Sequence, residues 1–159
     1  VTGPRVVTHS AAQTREVGRA LGGLLAPGDV VLLAGGLGAG KTELTRGIAE
    51  ALGVSAGVVS PTFTLARRYE GTVPLVHVDV YRLDRVQELI DLGLEEDLDE
   101  VVTVIEWGDV AGAHLSAERL EVRLEPLDAD DDRRVTFAAD GPSWRARWPA
   151  LERALAAVR

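Results

Sequence analysis

The clearest chemistry in the chain lies in eight residues, Gly35-Gly36-Leu37-Gly38-Ala39-Gly40-Lys41-Thr42, which fit the pattern G-x-x-x-x-G-K-S/T. Glycine lets a backbone curl until successive N–H groups converge on phosphate oxygens. Gly35, Leu37, Gly38, Ala39 and Gly40 therefore read as an anion cradle, with Lys41, Thr42 and Glu43 at the N-terminus of the helix that follows. Lys41 is placed to reach the β- and γ-phosphates of a nucleotide, and the Thr42 hydroxyl to ligate Mg²⁺. Lys41 is also the single lysine beside 16 arginines. A chain that uses Arg at every other basic position has a compact ammonium only where a phosphate loop needs one.

Two carboxylates follow apolar runs and complete the chemistry. Leu75-Val76-His77-Val78-Asp79 alternates so that His77 and Asp79 share one face, which must meet either solvent or a site. Val101 to Ile105 is strongly β-branched and ends in Glu106-Trp107. Acids at the carboxyl ends of strands in an open α/β sheet stand where such sheets bind ligands. The sequence leaves open which acid holds metal and which orients water. We place Glu106, with Thr42, on Mg²⁺ and Asp79 on the attacking water. Lys41, Asp79 and Glu106 are thus the candidate catalytic set. Thr62 or Thr64, after Ser60-Pro61, would sense a γ-phosphate as a switch segment does, although a plain strand-entry turn has the same spacing. Trp107 is a candidate reporter of nucleotide state or partner anchor; packing in the core is the equally simple alternative.

The elements that must position these residues are also readable. Val30 to Ala34 is an unbroken apolar strand, and residues 43–52 carry a helical stripe that stops at Gly53. Residues 10–25 form an amphipathic packing helix, capped by Thr8 or Ser10 and ended by Pro27-Gly28. Residues 63–70 and 73–82 flank Gly71-Thr72 as a hairpin, with Pro74 outside the ladder or at an edge. Asp84 caps a helix carrying Val86, Leu89 and Ile90, and the acidic run at 95–100 reads most simply as a solvated face, a partner-docking surface being the alternative. Residues 119–124 and 134–138 pair antiparallel around an acidic tip at 128–132. Trp148, Leu151, Leu155 and Val158 share one face of a last helix, which Pro149 is expected to begin; Trp144 and Trp148 are packing residues. Together these predict an α/β fold, a three-layer P-loop NTPase with a mostly parallel core sheet and an added antiparallel portion. Residues 1–159 are expected to form a single domain.

Composition removes several function classes. With no cysteine and three scattered histidines, a disulfide framework, a thiolate zinc site and a His-based metal cluster are excluded. A net charge of −8 disfavours gripping nucleic acid alone, because phosphate neutralisation needs a basic face. No apolar stretch approaches the ~20 residues that span a bilayer, and no signal-peptide layout is seen. The expected compartment is the cytoplasm.

Gly38-Ala39-Gly40-Lys41-Thr42, Ser60-Pro61-Thr62-Phe63-Thr64-Leu65, His77-x-Asp79-x-Tyr81-Arg82-Leu83 and Glu106-Trp107, in this order and spacing, resemble the TsaE family, also called YjeE. The resemblance covers about residues 8–124. It implies a bacterial ATPase that uses ATP and Mg²⁺ to assist the TsaD–TsaB pair in placing threonylcarbamoyl on tRNA adenosine, with tRNA met only through the complex and no membrane involved. It further implies nucleotide and Mg²⁺ roles for Thr42, Asp79 and Glu106 and an essential role for Trp107. Two departures are visible. Gly36 stands where the family often has an acidic or amide residue, and Glu43 where a second Thr is usual. Neither removes a phosphate-contacting group. The alternative reading is a small-molecule kinase of the P-loop class, with Arg67, Arg68, Arg82 and Arg85 as phosphate clamps, but no acceptor site or lid is recognisable. A GTP switch would need N-K-x-D, which a chain with one lysine lacks.

Overall fold

A computed structural model of the chain describes residues 2–36, 38–59, 66–79, 98–106 and 118–158. Seven strands join one sheet: β1 (Thr2–Thr8), β2 (Val30–Ala34), β3 (Ala66–Tyr69), β4 (Leu75–Asp79), β5 (Val102–Glu106), β6 (Arg119–Pro126) and β7 (Arg133–Asp140). Their spatial order is β1-β7-β6-β2-β5-β4-β3. The four central strands, β6-β2-β5-β4, are parallel throughout. Antiparallel strands are added at both flanks, β7 and β1 beyond β6 and β3 beyond β4. This is the expected α/β architecture, with one more antiparallel strand than the sequence suggested. The strand β1 escaped notice because its run, Thr-Gly-Pro-Arg-Val-Val-Thr, carries a glycine and a proline that argue against a strand. At an edge both are tolerated, and the ladder shifts register between Thr2 and Arg5.

Three described helices pack on one face: α1 (Ala11–Gly22), α2 (Lys41–Ala51) and α3 (Pro142–Ala156). Alternation along paired strands puts Val31, Leu33, Leu75, Val104, Leu120, Val122 and Phe137 on that face. They merge with Val17 and Leu21 of α1, Leu44 and Ile48 of α2, and Trp144 and Leu151 of α3 into the main core. The opposite face is apolar too, with Val30, Leu32, Val78 and Ile105 all buried, which explains the unbroken apolar runs of β2 and β5.

Helix α1 starts where Ser10 accepts a hydrogen bond from the Gln13 amide at 3.1 Å, so Ser10 is the cap of the two candidates. It ends at Gly22 rather than at Pro27-Gly28; Leu24 and Leu25 continue as turns. Helices α1 and α2 approach closely through glycines. A Cβ on Gly47 would lie 1.9 Å from the Arg15 carbonyl oxygen, and one on Gly18 2.1 Å from that of Leu44. The last helix corrects the expectation for Pro149: it begins at Pro142, and Pro149 lies inside it. The proline is exposed and so is Arg145, whose carbonyl loses its intrahelical partner on the solvent side of the helix. Trp144 and Trp148 are buried packing residues as expected. Arg147 lies 3.9 Å over the Trp144 ring and bonds both Asp29 oxygens at 2.6 and 2.8 Å, fastening α3 to the turn before β2. The helix expected after Asp84 and the segment around Pro61 lie outside the described residues. Among the described residues no helix is long and apolar enough to cross a membrane.

Candidate functional site

The loop between β2 and α2 carries the phosphate-binding pattern from strand to helix, as its sequence requires. Helix α2 begins at Lys41, with Gly40 as its N-cap in the left-handed region (φ 104°), a conformation that a side chain would oppose. The first intrahelical bond is Leu44 N–H to Gly40 C=O at 3.0 Å, which leaves the amides of Lys41, Thr42 and Glu43 directed out of the helix N-terminus. Those donors and the helix dipole make an anion site. Gly35 is needed for a different reason. A Cβ there would stand 2.7 Å from the Leu124 carbonyl oxygen, so the loop's base lies directly on the end of β6. Ala39 is fully buried, and its amide bonds the Gly36 carbonyl at 3.2 Å.

Lys41 is 7% exposed, and its ammonium folds over the loop, donating to the carbonyls of Gly35 at 2.6 Å and Gly36 at 3.3 Å. Thr42 is half-buried in the first turn of α2. The Glu43 side chain turns away from the loop toward α1. It accepts from Arg15 Nε and Nη2 at 3.1 and 2.8 Å, and from Arg46 Nη1. Burial raises the Glu43 carboxyl, but the two guanidinium groups outweigh it and hold the group below its ordinary value. Glu43 can therefore meet a phosphate only through its amide, while its carboxylate ties α2 to α1.

The two acids stand side by side. Asp79 of β4 pairs in register with Glu106 of β5, and Glu106 pairs with Leu33 of β2, two residues before Gly35. Neighbouring strands are about 4.8 Å apart, so both carboxylates sit at the strand ends beside the phosphate loop. Glu106 is 4% exposed, and its Oε1 has no hydrogen-bond partner among the described residues. His77, one alternation behind Asp79 on the same face, is completely buried. Its Nε2 lies 3.2 Å from Glu106 Oε1 without hydrogen-bond geometry, and neither ring nitrogen has a hydrogen-bond partner among the described residues. The polar face of β4 is thus neither solvent-facing nor idle: it is directed into the site.

A second group that the sequence did not single out is Arg133, at the start of β7, which donates to carbonyls of the phosphate loop from outside. It follows the acidic tip of the β6–β7 hairpin, which is a polar hairpin loop as expected. No sequence signal connects it to a loop 94 residues away. A cavity of about 180 Å³ lies between this hairpin, the loop and the start of α1, lined by Gly38, Gly40, Glu43, Thr14 and Arg133 among others. Leu37, Thr62 and Trp107 fall outside the described residues.

The donor set suits a magnesium nucleotide. Inward amides and an ammonium match phosphate oxygens; a hydroxyl and an unpartnered buried carboxylate oxygen match a hard cation, which takes oxygen ligands.

Known proteins place this geometry in a lineage. A crystal structure of Bacillus subtilis YdiB is similar over 96% of this chain and 97% of that one, with a TM-score of 0.78 and 33% identity. The tRNA threonylcarbamoyladenosine biosynthesis protein TsaE of Streptomyces coelicolor is 46% identical over 137 residues, 82% of this chain and 93% of its own. The protein of that name from Bacillus subtilis is 38% identical over 148 residues, 92% of each chain. The family model described as threonylcarbamoyl adenosine biosynthesis protein TsaE matches residues 8–135, most of the sheet together with the phosphate loop and both acids. The chain belongs to the TsaE family of threonylcarbamoyl adenosine biosynthesis proteins.

Proposed function

We propose that this protein binds ATP with Mg²⁺ and hydrolyses it, weakly alone, as the ATPase of the machinery that forms threonylcarbamoyladenosine on tRNA, docking on a TsaD–TsaB pair. The observation that carries the reading is the register placing Asp79 and Glu106 side by side, next to the strand that leads into the Lys41 loop. Phosphoryl transfer to water needs positioning and charge stabilisation more than covalent chemistry. Amides at the α2 N-terminus and the Lys41 ammonium would hold the phosphates. For this, Lys41 must exchange its bonds to the Gly35 and Gly36 carbonyls for phosphate oxygens. Thr42 and Glu106 would hold Mg²⁺, whose chemistry is neutralisation of phosphate charge. Asp79 would orient the attacking water. Residues 1–159 would act as a single unit. The net charge of −8 suits an ATPase that meets tRNA through protein partners rather than by its own grip.

Lys41→Ala tests the core of this reading. Hydrolysis should vanish while thermal unfolding shifts little, since the ammonium serves charge rather than packing. Arg should rescue poorly, because a planar fork does not fit where a point charge sits. A lysine-directed acyl-phosphate ATP probe should label this one side chain and be blocked by excess ATP. Hydrolysis must proceed without a small-molecule acceptor, which separates it from a kinase. Binding to a TsaD–TsaB pair should depend on nucleotide. Full activity in Lys41→Ala would sink the assignment.

A further inference from the structure

We propose that Arg133 is the positioning residue of the phosphate loop, holding residues 38–40 in an anion-binding shape before a nucleotide arrives. The affinity consequence rests on the nucleotide reading above; the bracing itself does not. A loop that turns its N–H groups inward must turn carbonyls outward, and those carbonyls need donors of their own. One guanidinium supplies them. Arg133 Nε donates to Ala39 C=O at 3.2 Å and Nη2 to Gly38 C=O at 3.3 Å. On its other side Nη1 donates to the carbonyls of Asp130 at 2.7 Å and Asp132 at 2.9 Å. Two loops distant in sequence are thereby bridged by one rigid planar cation, which offers five donors in a fixed fork.

Among the described residues, a Cβ on Gly36 or Gly38 would meet nothing within 4 Å, so the loop is open on the faces of these two glycines. The inner hold, Lys41 on the Gly35 and Gly36 carbonyls, is one a phosphate must displace. Arg133 approaches from outside, so a phosphate entering the cradle need not displace it. Its own platform is firm. The hairpin tip is closed by Leu127 N–H to Asp132 C=O and Asp132 N–H to Ala129 C=O, both 3.0 Å, and Asp132 Oδ1 lies 2.9 Å from His9 Nδ1. This gives the β6–β7 hairpin a task in the site that its sequence does not announce.

The test compares wild type with Arg133→Met, which keeps length without donors, and Arg133→Lys, whose single ammonium cannot bridge four carbonyls. Three quantities are measured: amide hydrogen exchange of residues 38–41 in the nucleotide-free protein, the Kd of a fluorescent ADP analogue with Mg²⁺, and the melting temperature. Arg133→Met should exchange faster in the loop alone and bind about tenfold more weakly, as expected if the competent loop population falls to about a tenth. Arg133→Lys should fall between the two, and melting should hardly move. Unchanged loop exchange in Arg133→Met overturns the brace. Loss of affinity that tracks lower melting and faster exchange everywhere overturns it equally, in favour of a merely structural arginine. If wild type binds no nucleotide, the ATP reading fails and the affinity effect with it, while loop exchange still decides the brace.

Discussion

His77→Leu should make the protein more stable and less active. The imidazole is completely buried, and neither nitrogen has a hydrogen-bond partner among the described residues. A buried polar group left unmet costs about 1–3 kcal/mol. Leucine is close to histidine in volume, and such a swap costs less than about 1.5 kcal/mol in repacking. The balance favours the variant by about 1 kcal/mol, which raises the melting temperature of a protein this size by about 2–4 °C. A competing effect predicts the opposite sign. The ring lies 3.2 Å from Glu106 Oε1, and if the two formed an intact buried ion pair, removing one partner would cost about 3–5 kcal/mol. Geometry argues against that, because the contact lacks hydrogen-bond alignment. Urea unfolding at neutral pH measures the sign, and ATP turnover with a Mg²⁺ titration measures the function. Turnover should fall about tenfold as hydrocarbon replaces the polar ring 3.2 Å from Glu106 Oε1 and leaves that carboxylate in a less polar wall. A stability loss of 3 kcal/mol or more would refute the argument from an unmet ring. A stable variant with wild-type turnover would refute its connection to Glu106.

Three further outcomes can be checked. Glu106→Gln should need more Mg²⁺ and recover partly when it is supplied, whereas Asp79→Asn should bind ATP and Mg²⁺ normally yet turn over slowly; the reverse pattern in a metal titration exchanges the two roles. Gly47→Ala should destabilise by about 3 kcal/mol in urea unfolding, because the new methyl would sit 1.9 Å from the Arg15 carbonyl oxygen and backbone must shift. Glu43→Gln should lower stability at pH 7 by about 0.5–1 kcal/mol, a partly exposed pair being worth no more. The Glu43 carboxyl titrates lower folded than unfolded, so its contribution is present above the ordinary value of 4.5 and lost as pH falls through the folded one. The variant should accordingly lose less stability than wild type between pH 5 and acid, measured by thermal melts across that range.

The phosphate loop, the strands around it and the parallel centre were legible because each rests on local pattern. Val30 to Ala34 is apolar without a break, Ser10 caps within three residues, and Gly40-Lys41-Thr42 is a motif with a mechanism. Both acids could be named for the same reason, each closing an apolar strand. What stayed hidden depends on contacts between distant segments. Arg133 is one arginine among 16 until the hairpin folds over the loop. His77 was visibly on the same face as Asp79, but only register against β5 shows that its ring meets Glu106 and is sealed from water. The edge strand β1 was missed because pairing with β7 overrides the poor strand propensity of Gly3 and Pro4. Pro149 misled for a related reason. Its rule concerns an unsatisfied carbonyl, and here that carbonyl belongs to a residue on the exposed side of α3, where the cost is smallest.

The strand order has a consequence for how the chain is made. Strand β2 pairs with β5 and β6, so Val31 waits for Val104 and Leu120, more than 70 residues later in synthesis. Early on the ribosome, the glycine-mediated crossing of α1 and α2 can form locally, but the strand between them has no partner on either edge. Closing such long chain segments is slow relative to local contacts, and an unpaired apolar strand is exposed to other chains meanwhile. A nascent chain that stops before β6 would carry a complete phosphate motif with nothing beneath Gly35 and nothing outside Gly38. Chaperone dependence and inclusion-body formation should therefore rise sharply for truncations on the amino side of residue 119 and ease once the hairpin is included.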